Sequence, residues 1–425
     1  MNQPPIATTA TAVPSVTSDR LRALIAEELP GLIEFRHDLH AHPETMYEEH
    51  RTAARVKEEL AAAGIDHLGN LAGGTGVLGF LPGADTSRGA VALRADIDAL
   101  PIQEESDLPY ASKIPGRMHA CGHDGHTTML LGAARVLQRL AADAGARPGL
   151  LPRPVKLVFQ PAEEGGAGGK RMVEDGCLTD ATFGVAVDEM YGMHCWPPLE
   201  VGQVATRVGP LMASADLFEI TITGRGTHAA FPHTGRDPVL AASAVVQALQ
   251  SIVSRNVDPV DSIVVSVTMF HAGTAKNIIP DAARLAGTLR ALSPEMRAFA
   301  MERIRSIVSQ TAAAYDCRGS ITFGENGYPV TANHPQAVER FHQFARGTVG
   351  ATARELGEWP MPVMGGEDFA FYCREVPSCF FFLGQQPEGA SEPYPMVHTP
   401  VFNFNDDTIA LGVELFCRIA LEMTN

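Results

Sequence analysis

Leu21, Leu24, Ile25, Leu29, Leu32, Ile33 and Phe35 recur at helical spacing from Ser18 until the chain meets His42 and Pro43. A stripe of this kind predicts an amphipathic helix with one buried face. Further helices are expected over 48–63 and over Thr127–Ala142. Between them lie short apolar runs: GAVALRAD at 89–96, PVKLVFQ at 154–160, and Val187 to His194. Such runs read as strands buried on both faces, and their alternation with helices predicts an α/β fold with a mostly parallel central sheet flanked by helices. In sheets of that type ligands gather beyond the carboxyl ends of the strands. Asp96, Glu163, Glu164 and His194 all stand at or just past such ends, so these separate motifs are expected to converge on one edge.

The pattern changes between 212 and 326. Leu217, Ile220 and Ile222 alternate, with Phe218 offset; a helix is expected at 236–255, strands at 262–270 and 283–292, and a helix at 294–315. This β-α-β-β-α order predicts a small α+β two-layer unit. VPSCFFFLG at 376–384 and a helix over Asp406–Met423 then return to the first pattern. The expected organisation is a flexible tail at 1–17, a discontinuous domain of 18–211 and 327–425, and an inserted domain of 212–326. A length of 425 residues agrees with two cores, since one domain usually takes roughly 100–200 residues.

Composition narrows the classes. A formal net charge of −16 opposes phosphate backbones and anionic lipid, so no nucleic-acid or membrane partner is expected. Seven scattered cysteines form no tight framework and fit a reducing compartment, the cytoplasm. The first twenty residues carry no basic residue before Arg20 and no long apolar run, unlike a secretory signal. No uninterrupted apolar run approaches the roughly 18 residues of a membrane span.

The chemistry is concentrated in MHACGHDGH at 118–126 and FQPAEEGG at 159–166, with His194 and His398 further on. Cys121 and His123, two apart, face one way in an extended segment, which suits a shared metal ion. His119 and His126 flank them; either is a possible ligand, and each fits better as an orienting or structural group. Glu163 and Glu164 are able to divide the work, one binding metal and the other accepting a proton and later returning it to a leaving amine. An isolated Glu-Glu pair would read as a solvated turn, and only the company of thiol and imidazoles argues otherwise. The glycine-rich GGAGGK that follows misses the phosphate-loop spacing, with Glu164 at the first glycine position and Arg171 at the hydroxyl position. His194 and His398 each precede a proline-marked turn, and His37, His40 and His42 lie at a helix end without acids or cysteines in the same cluster; the latter three read as structural.

Taken together, RHDLHAHPE (36–44), RADIDALPI (94–102), MHACGHDGHT (118–127), FQPAEEGG, YGMHCWP, GRGTHAAFPHTGRDP (224–238), AGTAKNIIPD (272–281), GEDFAFY (366–372) and HTPVFNFND (398–406) run in order from about residue 30 to the C-terminus. In these motifs the chain resembles the hippurate hydrolase and auxin-conjugate hydrolase branch of the aminoacylase and carboxypeptidase metallo-amidohydrolases. The resemblance implies two divalent ions per subunit, zinc, manganese or cobalt, held by Cys121, His123, Glu164, His194 and His398, with the thiolate bridging. It implies Glu163 as catalytic acid and base, and Asp96 as an acid orienting a ligand from behind. The inserted segment then corresponds to a lid and dimerisation domain, in which His228 stabilises the oxyanion while Asn277 and Arg290 bind the substrate's carbonyl or carboxylate.

The implied activity is hydrolysis of the amide of an N-acyl amino acid by a homodimer or homotetramer. A dipeptidase or carboxypeptidase with the same centre is the alternative, and a non-catalytic metal- or ligand-binding homologue a more distant one. Two features depart from the pattern: Cys195 directly after His194, and the long loop ARPGLLPRP at 146–154.

Overall fold

The computed structural model describes residues 16–85, 87–143, 150–360, 362–390, 392 and 394–424. The tail expected at 1–17 lies outside the described residues up to position 15, and so does the 146–149 part of the long loop.

Eight strands form the larger sheet. In spatial order they are Asp66–Leu71, Gly76–Leu81, Val155–Gln160, Ala90–Asp96, Val187–Glu200, Ser378–Gln386, Gln203–Thr206 and Glu355–Glu358. The four strands from Val155–Gln160 to Ser378–Gln386 run parallel, as does the final pair, while the first two strands and Gln203–Thr206 join antiparallel. Every residue of Ala90–Asp96 and of Val155–Gln160 is buried, which is why these segments read as unbroken runs. Side chains alternate between two cores. Leu157, Phe159, Phe381 and Leu383 face the helices Ser18–Ala41, His123–Asp143 and Ile409–Leu421, with Leu32, Leu130, Leu137 and Phe416 opposite. Val158, Phe380 and Phe382 face the other way, onto Met172, Phe369 and Tyr372.

Register aligns the strand ends. Asp96 pairs with Gln160, and Arg94 with Gly192, so His194 lies two residues beyond that last pair on the neighbouring strand. The helix expected from Thr127 begins earlier, at His123. Gly122 makes the turn into it with φ +81°, and its carbonyl accepts the first helical bonds from Gly125 and His126. A side chain at Gly125 would meet the Phe404 ring at 2.4 Å, so glycine there lets the helix start close-packed.

A second sheet, antiparallel and four-stranded, has the order Ile263–Ala272, Ala282–Ala291, Ser214–Thr223, Arg318–Phe323. Helices Pro238–Leu249 and Pro294–Ala314 pack with it around Phe218, Ile220, Ile222, Val245, Leu285 and Ile304. The strand Arg318–Phe323 was not expected: RGSITF is a half-exposed edge strand with little apolar signal. The helix expected over 236–255 continues as a π-helical turn, Ile252–Asn256, after its α-helical part ends at Leu249. Beyond it Ser251 and Ser254 donate to the carbonyls of Ala248 and Gln250, competing with regular helical bonding. Among the described residues no helix is long and apolar enough to cross a membrane.

Candidate metal centre

Four segments meet at the carboxyl edge of the parallel strands. Cys121 and His123 come from the turn into the helix His123–Asp143, Glu163 and Glu164 from the turn after Val155–Gln160, His194 from the strand Val187–Glu200, and His398 from a loop where its own φ is +65°. Cys121 Sγ lies 3.2 Å from His194 Nε2 and 3.3 Å from His398 Nε2. His398 Nε2 is also 3.2 Å from Glu164 Oε1, and His123 Nε2 is 4.0 Å from that oxygen. Among the groups whose donor atoms lie within 4.8 Å of one another are two triads, Cys121 with His123 and His194, and Cys121 with Glu164 and His398; His123 with Glu163 and Glu164 forms another. The first two triads share one atom, the Cys121 sulfur.

The remaining ring nitrogens fix the tautomers. His194 Nδ1 donates to the Cys195 carbonyl at 2.6 Å and His123 Nδ1 to Asp98 Oδ1 at 3.2 Å, leaving both Nε2 atoms for the centre. His123 Nε2 is buried with no hydrogen-bond partner among the described residues, which an ion in its triad would satisfy. A thiol, three imidazoles and a carboxylate suit zinc-like ions, so the residues fit the implied metals. His126 is not available: Nδ1 bonds Asp96 Oδ1 at 2.7 Å and Nε2 accepts the Cys195 amide at 2.9 Å. The Cys195 thiol donates to the Cys121 carbonyl, which gives it a packing role beside the centre. His119 is buried, and burial pushes it down to about 4, keeping it neutral.

Asp96 was expected to orient a metal ligand. Its two oxygens go to His126 and to Arg94 Nη1, and its distance to His123 Nε2 is 3.7 Å. The acid that orients His123 is Asp98, whose second oxygen also accepts the Glu164 amide at 2.9 Å. Asp98 stands in the quoted RADIDALPI motif, two residues past Asp96, and spacing alone did not separate the two. Behind the centre the fully buried Arg94 pairs with Asp96 at 2.7 Å, Asp368 at 2.9 Å and Glu367 at 3.0 Å.

Burial, with Glu367 and Glu164 nearby, raises the Glu163 carboxyl well above the ordinary range. Burial also opposes charge on Glu164, but His398 and His123 outweigh it and lower that carboxyl. Burial raises the Cys121 thiol, and Glu164 beside it adds to the effect. His123 is raised to about 10, because Asp96 and Asp98 overcome the penalty of its burial.

A cleft of about 500 Å³ opens over these residues, walled by Trp196, Met212, Leu217 and Met364, with Tyr328 and Arg290 at its side. The side chain of Arg290, on the strand Ala282–Ala291, makes no hydrogen bond or ion pair among the described residues, and Gly366 leaves room for its guanidinium. His228 and Asn277 are not brought to the cleft. Both are exposed on a two-stranded ribbon, Thr227–His228 against Ile278–Ile279, where the Asn277 carbonyl accepts the Ala229 amide.

The model of the peptidase family M20/M25/M40 matches residues 92–422. The chain belongs to this family. Among its relatives, an IAA-amino acid hydrolase ILR1-like 2 of Arabidopsis thaliana is 38% identical over 93% of this chain and 86% of its own. An N-acetylcysteine deacetylase of Bacillus subtilis is 37% identical over 92% of this chain and 96% of its own. A solved Bacillus subtilis structure described as a dinuclear metal binding peptidase from the M20 family superposes with a TM-score of 0.76 at 33% identity, covering 93% and 98% of the two chains. In this M20 member the sequence left unnoticed Asp98, Arg94 and the pair Glu367–Asp368, the last visible only as two acids in GEDFAFY.

Proposed function

We propose that this chain hydrolyses the amide bond of N-acyl amino acids, releasing a carboxylic acid and a free amino acid. The observation that carries the reading is a pair of donor triads sharing the Cys121 sulfur, with Glu163 beside them and the unpaired Arg290 across one cleft. Cys121, His123, His194, Glu164 and His398 would hold two divalent ions; zinc, manganese and cobalt all suit these donors. When bound, such ions supply Lewis acidity toward the amide carbonyl and make water acidic.

The protein's own groups do the rest. Glu163, in its buried acidic surroundings, accepts the proton of the attacking water on its carboxylate and delivers it to the leaving nitrogen. Arg290 pairs with the free carboxylate of the amino-acid part and sets which end of the substrate faces Glu163. Trp196, Met212, Leu217 and Met364 exclude water around the acyl group.

In this reading residues 18–211 with 327–425 form the metal-binding domain, and 212–326 form a lid and dimerisation domain. His228 and Asn277 act on the cleft of a second copy in a homodimer or homotetramer, with His228 donating to the oxyanion. Exposed Phe231, Met269, Phe270 and Ile278, on this ribbon and on the edge strand Ile263–Ala272, support such an interface. The seven buried free thiols support a cytoplasmic location.

The test is amino-acid release by metal-loaded protein from a panel of N-benzoyl and N-acetyl amino acids and dipeptides, with a chelated control. Chelator-sensitive release from acyl compounds is expected. The solved neighbour's description as a peptidase favours one second reading, and release from dipeptides alone would establish it. Retained metal with no turnover on any panel member would leave a binding protein.

A further inference from the structure

The turn after Val155–Gln160 places two carboxylates on successive residues and has little regular structure of its own. Besides its own bonds, from Gly165 to the Glu163 carbonyl at 2.8 Å and from Gly168 to the Ala162 carbonyl at 3.1 Å, it is held from elsewhere. The Tyr328 hydroxyl donates to the Glu163 carbonyl and accepts the amide of Gly165 at 2.7 Å and, more weakly, that of Ala167 at 3.5 Å. Its proton is therefore committed, and the hydroxyl is not free to act on substrate although the ring lines the cleft.

The backbone of Tyr328 is fixed just as firmly. Its amide donates to the Ala215 carbonyl at 2.8 Å and its carbonyl accepts the Ala215 amide at 3.0 Å. Ala215 is the second residue of the strand Ser214–Thr223, and Tyr328 follows the strand Arg318–Phe323, so these two residues lie where the chain passes into and out of the four-stranded sheet. A third segment joins them: Ala213 donates to the carbonyls of Val363 and Gly365, a few residues before Asp368, whose amide donates to Glu163 Oε1 at 3.3 Å.

We infer that Tyr328 is a positioning residue for the reaction: its hydroxyl references the Glu163–Gly165 turn to the junction of the two sheets, and so sets where the Glu163 carboxylate stands relative to a substrate held by Arg290. Glu163 follows a strand of the larger sheet and Arg290 stands on the smaller one, so links across the junction hold their separation constant. The inference rests on the proposed role of Glu163.

Tyr328→Phe keeps the ring and removes the link. In the metal-loaded enzyme kcat is expected to fall about 10-fold or more, since small misplacements of reacting groups carry losses of that order. KM, set by Arg290 and the cleft walls, and metal content are expected to hold. Hydrogen exchange followed by mass spectrometry should show faster exchange in peptides spanning 161–169, with the strand Ala282–Ala291 unchanged. Tyr47→Phe is the control. Tyr47 bonds the Gly166 carbonyl at 2.6 Å without touching the junction, so its loss should loosen the same turn with a smaller fall in kcat. An unchanged kcat in Tyr328→Phe, or equal losses in the two variants, would overturn the inference. Should the wild type turn over nothing on the panel, the proposed function fails instead, and unchanged exchange at 161–169 in Tyr328→Phe would still sink the link.

Discussion

Replacing Asp98 with alanine removes two bonds made by one carboxylate. Oδ1 holds His123 Nδ1 at 3.2 Å, and Oδ2 holds the Glu164 amide at 2.9 Å, so one residue from each donor triad depends on it. Without it the His123 ring loses its tautomer lock, and the buried Glu164 amide loses its acceptor. Groups that orient metal ligands in this way typically contribute 10- to 100-fold in metal affinity. Two such bonds argue for the upper end in Asp98→Ala, about 2.7 kcal/mol, and for the lower end in Asp98→Asn, about 1.4 kcal/mol, because the amide oxygen still serves one partner. Competition for zinc against a chromogenic chelator reads this directly, with circular dichroism to verify folding. Asp96→Asn leaves the His123 to Asp98 bond intact, and its main effect is expected on stability through Arg94. Folded Asp98→Ala binding zinc as tightly as wild type would refute the assignment of Asp98 over Asp96.

Glu163→Gln is expected to lose essentially all turnover while keeping its bound metal, measured by release assay and elemental analysis; loss of metal would make Glu163 a ligand. Arg290→Met should raise KM for substrates with a free carboxylate by about 10-fold or more and leave the corresponding carboxamides nearly unaffected. His40 supplies a pH test. Burial opposes its charge, but hydrogen bonds to Asp124 and Glu104 raise it to about 9. A folded value above the unfolded one means stability fully present below about 6.5 and lost as pH rises through about 9. Denaturant titrations of the metal-free chain should show this decline, and His40→Gln should flatten it; an unchanged slope would exclude His40 as its source.

Much of the centre was legible because chemistry-bearing residue types crowd a few short strings. Cys121, His123, Glu163 and Glu164 stand in such strings, and the strands that lead to Glu163 and His194 were visible as apolar runs. What the sequence hid was made by distance. Arg94 interrupts an apolar strand like any polar residue until Glu367 and Asp368, more than 270 positions away, close around it. Tyr328 meets Glu163 across 165 positions through a hydroxyl that carries no local signal. The edge strand Arg318–Phe323 has half its surface in water and too few apolar residues to declare itself. His228 and Asn277 could be named by motif, yet within one chain the ribbon carries them away from the cleft.

The turn carrying Glu163 and Glu164 also explains why so many residues converge on it. Two consecutive carboxylates must point to different places, one to the donors around Cys121 and one into the cleft, and a regular strand would send them to opposite faces of the sheet. The chain meets this demand with left-handed backbone at Ala162 (φ 55°) and Ala167 (φ 53°), non-glycine residues for which that region costs on the order of 1–2 kcal/mol each. Left alone, the turn would relax. It is held from separate segments: Glu49 accepts the Ala162 amide, Asp98 that of Glu164, Tyr328 that of Gly165, and Asp368 that of Gly169, while Tyr47 donates to the Gly166 carbonyl. At roughly 1 kcal/mol or more for each such bond, and more where the acceptor is a carboxylate, the bonds outweigh the strain. Stability is thus surrendered in the backbone and recovered in contacts that aim the carboxylates, which is why a conservative change at any of these five side chains should be felt at the reacting atoms before it is felt in the fold.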